Sequence, residues 1–219
     1  MKDRIALSNF LIVLLLAVTC VLSADAASNA KIVGRTYVNN KYGFQISLPD
    51  SLAKWSLSTS EEKTNIDFDV SIVFHVMTGP AQEFVNVIID GTTNSLQNYV
   101  NRNMAGCELL IPNWKELSRR VIAISEEKVK GYELIWTFLG IAGGVETEYT
   151  VIQWYTIRGE FADVETIREK YACIITGRDT SKNFDPDVFR NIMSTFKFLP
   201  VAVSEEKSTA TTWGYIKSL

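Results

Sequence analysis

The chain holds a single histidine, His75, and that count narrows its chemistry at once. Zinc sites draw on several closely spaced His and Cys ligands, so no such motif can be assembled around one imidazole. Serine hydrolysis needs a nucleophile, a base and an orienting acid. No Gly-x-Ser-x-Gly occurs, and His75 lies in the apolar run 68–77, opposite the face of Phe68, Val70, Ile72, Phe74 and Val76. It reads as a tolerated strand residue beside Val73 and Met77. Two acidic pairs, Asp67 with Asp69 and Glu146 with Glu148, each share a strand face because alternate residues point the same way. Neither belongs to a loop with alternating oxygen donors, a central glycine and a distal glutamate, so both read as solvated faces and not as calcium sites. Gly140, Gly143 and Gly144 fit neither the dinucleotide fingerprint nor the phosphate loop. No catalytic, cofactor-binding or metal-binding residue is assigned, and the protein is expected not to be an enzyme.

Cysteine chemistry is equally plain. Cys107 and Cys173 sit among apolar neighbours with no activating context. Either they pair in an oxidising compartment or they remain separate buried thiols, since sequence does not show the distance between them. Of the tryptophans, Trp136 and Trp154 lie in probable strands and suit packing. Trp114, beside Pro112 in a connector, and Trp213 with Tyr215 near the C-terminus are the candidate protein contacts, because exposed aromatic anchors dominate interfaces.

The elements that would position these residues are mostly strands. Residues 32–38 and 42–48 read as two strands around Asn39-Asn40-Lys41, with Tyr42, Phe44, Ile46 and Leu48 on one face. The polar stretch 58–63 reads as a solvated loop. Strands follow at 68–77, 84–89, 117–125, 132–139, 147–157 and 170–176, rich in branched and aromatic residues, with turn material at 140–144. Two segments change period. Over 95–107, Leu96, Tyr99, Val100, Met104 and Cys107 form a helical stripe, with Asn94 and Gln97 as a capping pair and Gly106 fraying the last turn. Later, Asp185 as cap and Pro186 at the first position open a helix with Val188, Phe189, Ile192, Met193 and Phe196 on one face. Short hairpin spacings argue for antiparallel pairing, hence an α+β fold with a curved, mainly antiparallel sheet flanked by helices.

The N-terminal segment carries the order of a signal peptide: a basic start, an apolar run over 10–22, and Ala24-Asp25-Ala26 as a cleavage site. The run is shorter than the roughly 20 residues a membrane span needs, so no stable span is expected after processing. Cleavage after Ala26 would free the protein; Ala17-Val18-Thr19-Cys20 loosely matches a lipoprotein box, which would leave Cys20 as a lipid anchor. Either outcome is secreted or extracytoplasmic, and the second is membrane-tethered. The net charge of −3 and the absence of a basic block exclude nucleic acid as an expected partner. Residues 201–219 read as a Ser/Thr/Ala/Glu-rich linker ending in the aromatic patch Trp213-Gly214-Tyr215-Ile216.

Several phrases resemble the PsbP/Mog1-like family. Tyr42-Gly43-Phe44-Gln45-Ile46-Ser47-Leu48-Pro49 with Trp55 is similar to its first core hairpin, and Gly131-Tyr132-Glu133 to its central strand entrance. The strand 171–176, then Phe184 and the segment 189–198, are similar to its closing strand, last helix and terminal strand. The resemblance spans about residues 37–199 within a domain placed at 31–200. It implies an α/β/α sandwich used for protein association. The expectation is therefore an exported, non-enzymatic interaction or assembly module, acting on an unidentified protein or on its own copies. The alternative is a carrier or sensor for a small apolar ligand or a cation.

Overall fold

The computed structural model describes residues 30–66, 69–79, 83–125, 128–159 and 170–199. Its strands are β1 (Ala30–Val33), β2 (Thr36–Asn39), β3 (Phe44–Ser47), β4 (Ser56–Ile66), β5 (Asp69–Thr78), β6 (Phe84–Gly91), β7 (Lys115–Ile124) and β8 (Val129–Ala142). They continue with β9 (Val145–Gly159), β10 (Lys170–Thr180) and β11 (Lys197–Phe198). Helix α1 covers Leu96–Leu110 and α2 covers Pro186–Met193. Seven strands form one antiparallel sheet in the order β4-β5-β6-β10-β9-β8-β7, and a second sheet of four runs β1-β2-β3-β11. The large sheet stays open, with β4 and β7 as its edges, and does not curl into a barrel.

The period-2 alternation decides what each face meets. On β10, Tyr171, Cys173 and Ile175 point toward the small sheet and α2, while Ala172 and Ile174 point toward α1. The α2 side is dense with rings: Phe44 lies 5.5 Å from Phe74 and 5.8 Å from Phe196, and Tyr42 lies 5.3 Å from Phe74. Burying each such ring contributes roughly 1.5–3 kcal/mol. Helix α2 seats closely because Gly177 has no Cβ, which would otherwise run into the Phe189 ring. On the opposite side α1 lays Tyr99, Val100, Met104 and Cys107 against Val73, Ile88, Leu134 and Ile174.

Four local expectations are corrected. Residues 32–38 are not one strand, because Gly34, at φ 60°, turns the chain between β1 and β2. The polar stretch 58–63 is part of β4, since an edge strand takes its hydrogen bonds from the backbone of β5 and does not need apolar side chains. Helix α1 is capped by Ser95, whose side chain accepts from the Asn98 N–H, and it runs past Gly106 to Leu110. The α2 cap is as read: Asp185 accepts from the Asp187 N–H at 2.9 Å, with Pro186 opening the helix. The 140–144 turn is shorter than the sequence suggests. Gly143 and Gly144, both at positive φ, make a two-residue hairpin between Ala142 and Val145.

Candidate functional site

Among the candidate contacts, Trp114 lies just after α1. Its ring packs against the α1-side core, and its indole N–H is buried without a hydrogen-bond partner among the described residues. Trp213, Tyr215, Cys20, Asp67 and the segment 1–26 lie outside the described residues. Trp136 and Trp154 are core residues with satisfied nitrogens, donating to Gln153 at 2.9 Å and to Glu133 at 2.9 Å.

Cys107 and Cys173 are separate buried thiols. The reason is geometric: Cys107 packs on the α1 face and Cys173 on the α2 face, so the sheet lies between them. Burial pushes the Cys107 thiol up to about 12 and the Cys173 thiol well above its usual range, which leaves both poor nucleophiles. Glu146 and Glu148 are exposed on β9. Among the described residues no group of three or more His, Cys, Asp or Glu side chains is placed to hold a metal ion. His75 faces the α1 side, in register with Asn86. No described helix is long and apolar enough to cross a membrane.

The strongest polar constellation escaped sequence reasoning. Glu133, 1% exposed on β8, accepts hydrogen bonds from Arg120 on β7 at 2.9 and 3.1 Å and from Arg190 on α2 at 2.8 and 3.1 Å. Trp154 donates a further bond at 2.9 Å. Burial alone would raise the carboxyl pKa, but the hydrogen bonds from Arg190, Arg120 and Trp154 outweigh it and bring it to about 2. A carboxylate so fully engaged has no lone pair left for proton transfer. Its effect is mechanical: it ties the edge strand β7 and the helix α2 to the neighbouring strands β8 and β9.

A second set of bonds ties β7 on the other face. Arg119 donates to Glu116 at 2.6 and 3.0 Å and to Asn101 of α1 at 2.8 Å. Asn101 in turn accepts from Gln97, which also receives the Tyr132 hydroxyl. Strand β7 is thus clamped from both faces while, among the described residues, its outer edge has no neighbouring strand. Leu117 and Val121 are 50% and 60% exposed along it. A register shift between Glu116 and Ser118 bends its first third, a device that keeps an edge from pairing indiscriminately.

No protein-family model matches the chain, and no curated protein matches it. Among solved structures it is similar to PA94 from Pseudomonas aeruginosa, a protein of unknown function. That similarity covers 71% of this chain and 92% of the other, at 15% identity and a TM-score of 0.41.

Proposed function

We propose that the protein is an exported, non-enzymatic interaction module of the PsbP/Mog1-like kind, which binds an extended segment of a protein partner along β7 as an eighth strand of the large sheet. One observation supports the reading: β7 is held by Arg119 and Arg120 from opposite faces, yet no strand pairs with its outer edge among the described residues. A rigid, unpaired edge offers main-chain donors and acceptors already aligned, which lowers the ordering cost of adding a strand. Leu117 and Val121 would then supply side-chain contacts beside that ladder. Export rests on the residue pattern of 1–26, with release after Ala26 or tethering through Cys20. Trp213 and Tyr215 enlarge the contact surface in this reading, as aromatic anchors on a polar linker.

The test is affinity capture from the native envelope fraction with the wild-type chain and with the double variant Leu117→Asp, Val121→Asp. Both positions are exposed, so stability should change by no more than about 0.5 kcal/mol per site. The expected result is a partner retained by the wild type and reduced at least about tenfold with the variant, a loss of about 1.4 kcal/mol. Equal recovery by both, or no partner above background, overturns the edge assignment.

A further inference from the structure

Away from β7, on the α1 face, aromatic and cationic side chains form a ladder across four neighbouring strands. Trp136 and Phe138 of β8 lie 5.6 Å apart, and Phe138 stacks on Tyr149 of β9 at 5.3 Å. The guanidinium of Arg178 on β10 follows, 4.9 Å from the Tyr149 ring and 4.3 Å from the Phe84 ring of β6. The sequence of rungs repeats the strand order β8-β9-β10-β6.

What sets Arg178 apart is the state of its nitrogens. Arg35, Arg158 and Arg190 are also half-buried, and each donates to backbone carbonyls or a carboxylate. Arg178 makes only its two ring contacts, with no hydrogen bond or ion pair among the described residues. Its sequence neighbour Asp179 points to the opposite side of the sheet and accepts from Thr180. Burial lowers the Arg178 pKa to about 10, as expected of a cation that has lost water without gaining an anion.

Ring contacts of this kind engage no N–H donor, and the donors lie along the guanidinium rim. Two parallel N–H groups on that rim match the two oxygens of a carboxylate. A cation–π contact explains the side chain's position, but it does not use a single donor. Half-exposed Phe84 and Tyr149 add apolar walls to the cation.

We infer that Arg178, held between Phe84 and Tyr149, binds the carboxylate of a small organic acid with an apolar body. The site is independent of β7, so its failure would leave the strand-addition reading untouched.

Benzoate is a suitable probe, with uncharged benzamide and inorganic sulfate as controls, each titrated into the full chain while the Arg178 Nε–H resonance is followed by NMR. Benzoate is expected to saturate at about 1 mM or below, which corresponds to roughly −4 kcal/mol. Benzamide and sulfate should bind at least about tenfold more weakly, a difference of about 1.4 kcal/mol. Arg178→Gln should abolish benzoate binding followed at the Phe84 and Tyr149 ring resonances, and Arg178→Lys, which keeps the charge and loses the fork, should weaken it. Benzamide or sulfate binding as tightly as benzoate, unaltered binding by Arg178→Gln, or no saturable shift would each overturn the assignment. Should Arg178→Gln fail to fold, the three-ligand comparison on the wild type decides the matter.

Discussion

The two edges of the large sheet are finished in opposite ways. At the β4 end the small sheet closes over the large one: β1 and β2 lie against β4, and Tyr37, Tyr42 and Phe44 interleave with Phe74 of β5. At the β7 end no sheet follows among the described residues, and the strand is held by charged hydrogen bonds reaching in from Arg119 and Arg120. A ring layer packed over the face behind that edge gains stability. An edge strand clamped by polar side chains is held without such a ring layer, which is the ground for proposing β7 as the interaction surface.

The largest effect that would sharpen this contrast is expected at the sealed end. Phe74→Ala removes a fully buried ring that meets three others, and should cost about 3–5 kcal/mol in urea denaturation. A loss below about 1 kcal/mol would mean the small sheet is only loosely docked.

Next comes the clamp. Glu133→Gln should cost about 2 kcal/mol at pH 7, less than the 3–5 expected for a fully buried pair, because Arg120 and Arg190 reach solvent and can rehydrate. The pH dependence has a definite sign. The folded-state pKa of Glu133, about 2, lies below its usual 4.5, so the folded protein binds this proton less readily than the unfolded chain. The stabilisation is complete above pH 4.5 and is lost as pH falls toward 2. Denaturation midpoints of wild type and Glu133→Gln should therefore converge on acidification; a constant gap between them would contradict the clamp. The smallest stability effect is expected for Leu117→Asp with Val121→Asp, which should leave folding nearly unchanged while removing partner binding.

Much of the scaffold was legible because its signals are local. Asp185-Pro186 announces α2 within two residues, and the alternation of Phe44 and Ile46 with Gln45 and Ser47 announces β3 and its buried face. The polar half of β4 was not legible: its strand character comes from the β5 backbone and leaves no mark on its own side chains. Separate thiols could have been suspected from parity, since Cys173 shares the face of Tyr171 and Ile175 while Cys107 belongs to the α1 stripe, but only the layer order places the sheet between them.

The β7 clamp lay further out of reach. Glu133 meets Arg120 at a separation of 13 residues and Arg190 at 57, distances over which no spacing rule operates. Its one visible trace was a glutamate between Tyr132 and Leu134 in an apolar strand, a charge that must find a partner once buried. Arg178 left a similar trace beyond the apolar segment 171–176.

Amide hydrogen exchange across β7, in the full chain alone and in complex with its captured partner, tests the central claim most directly. Alone, the outward-facing amides between Leu117 and Ala123 should exchange rapidly while their neighbours bonded to β8 stay protected. In the complex the outward-facing amides should become protected and those of β4 should not change. Unaltered exchange along β7, with new protection elsewhere on the domain, would contradict strand addition at this edge.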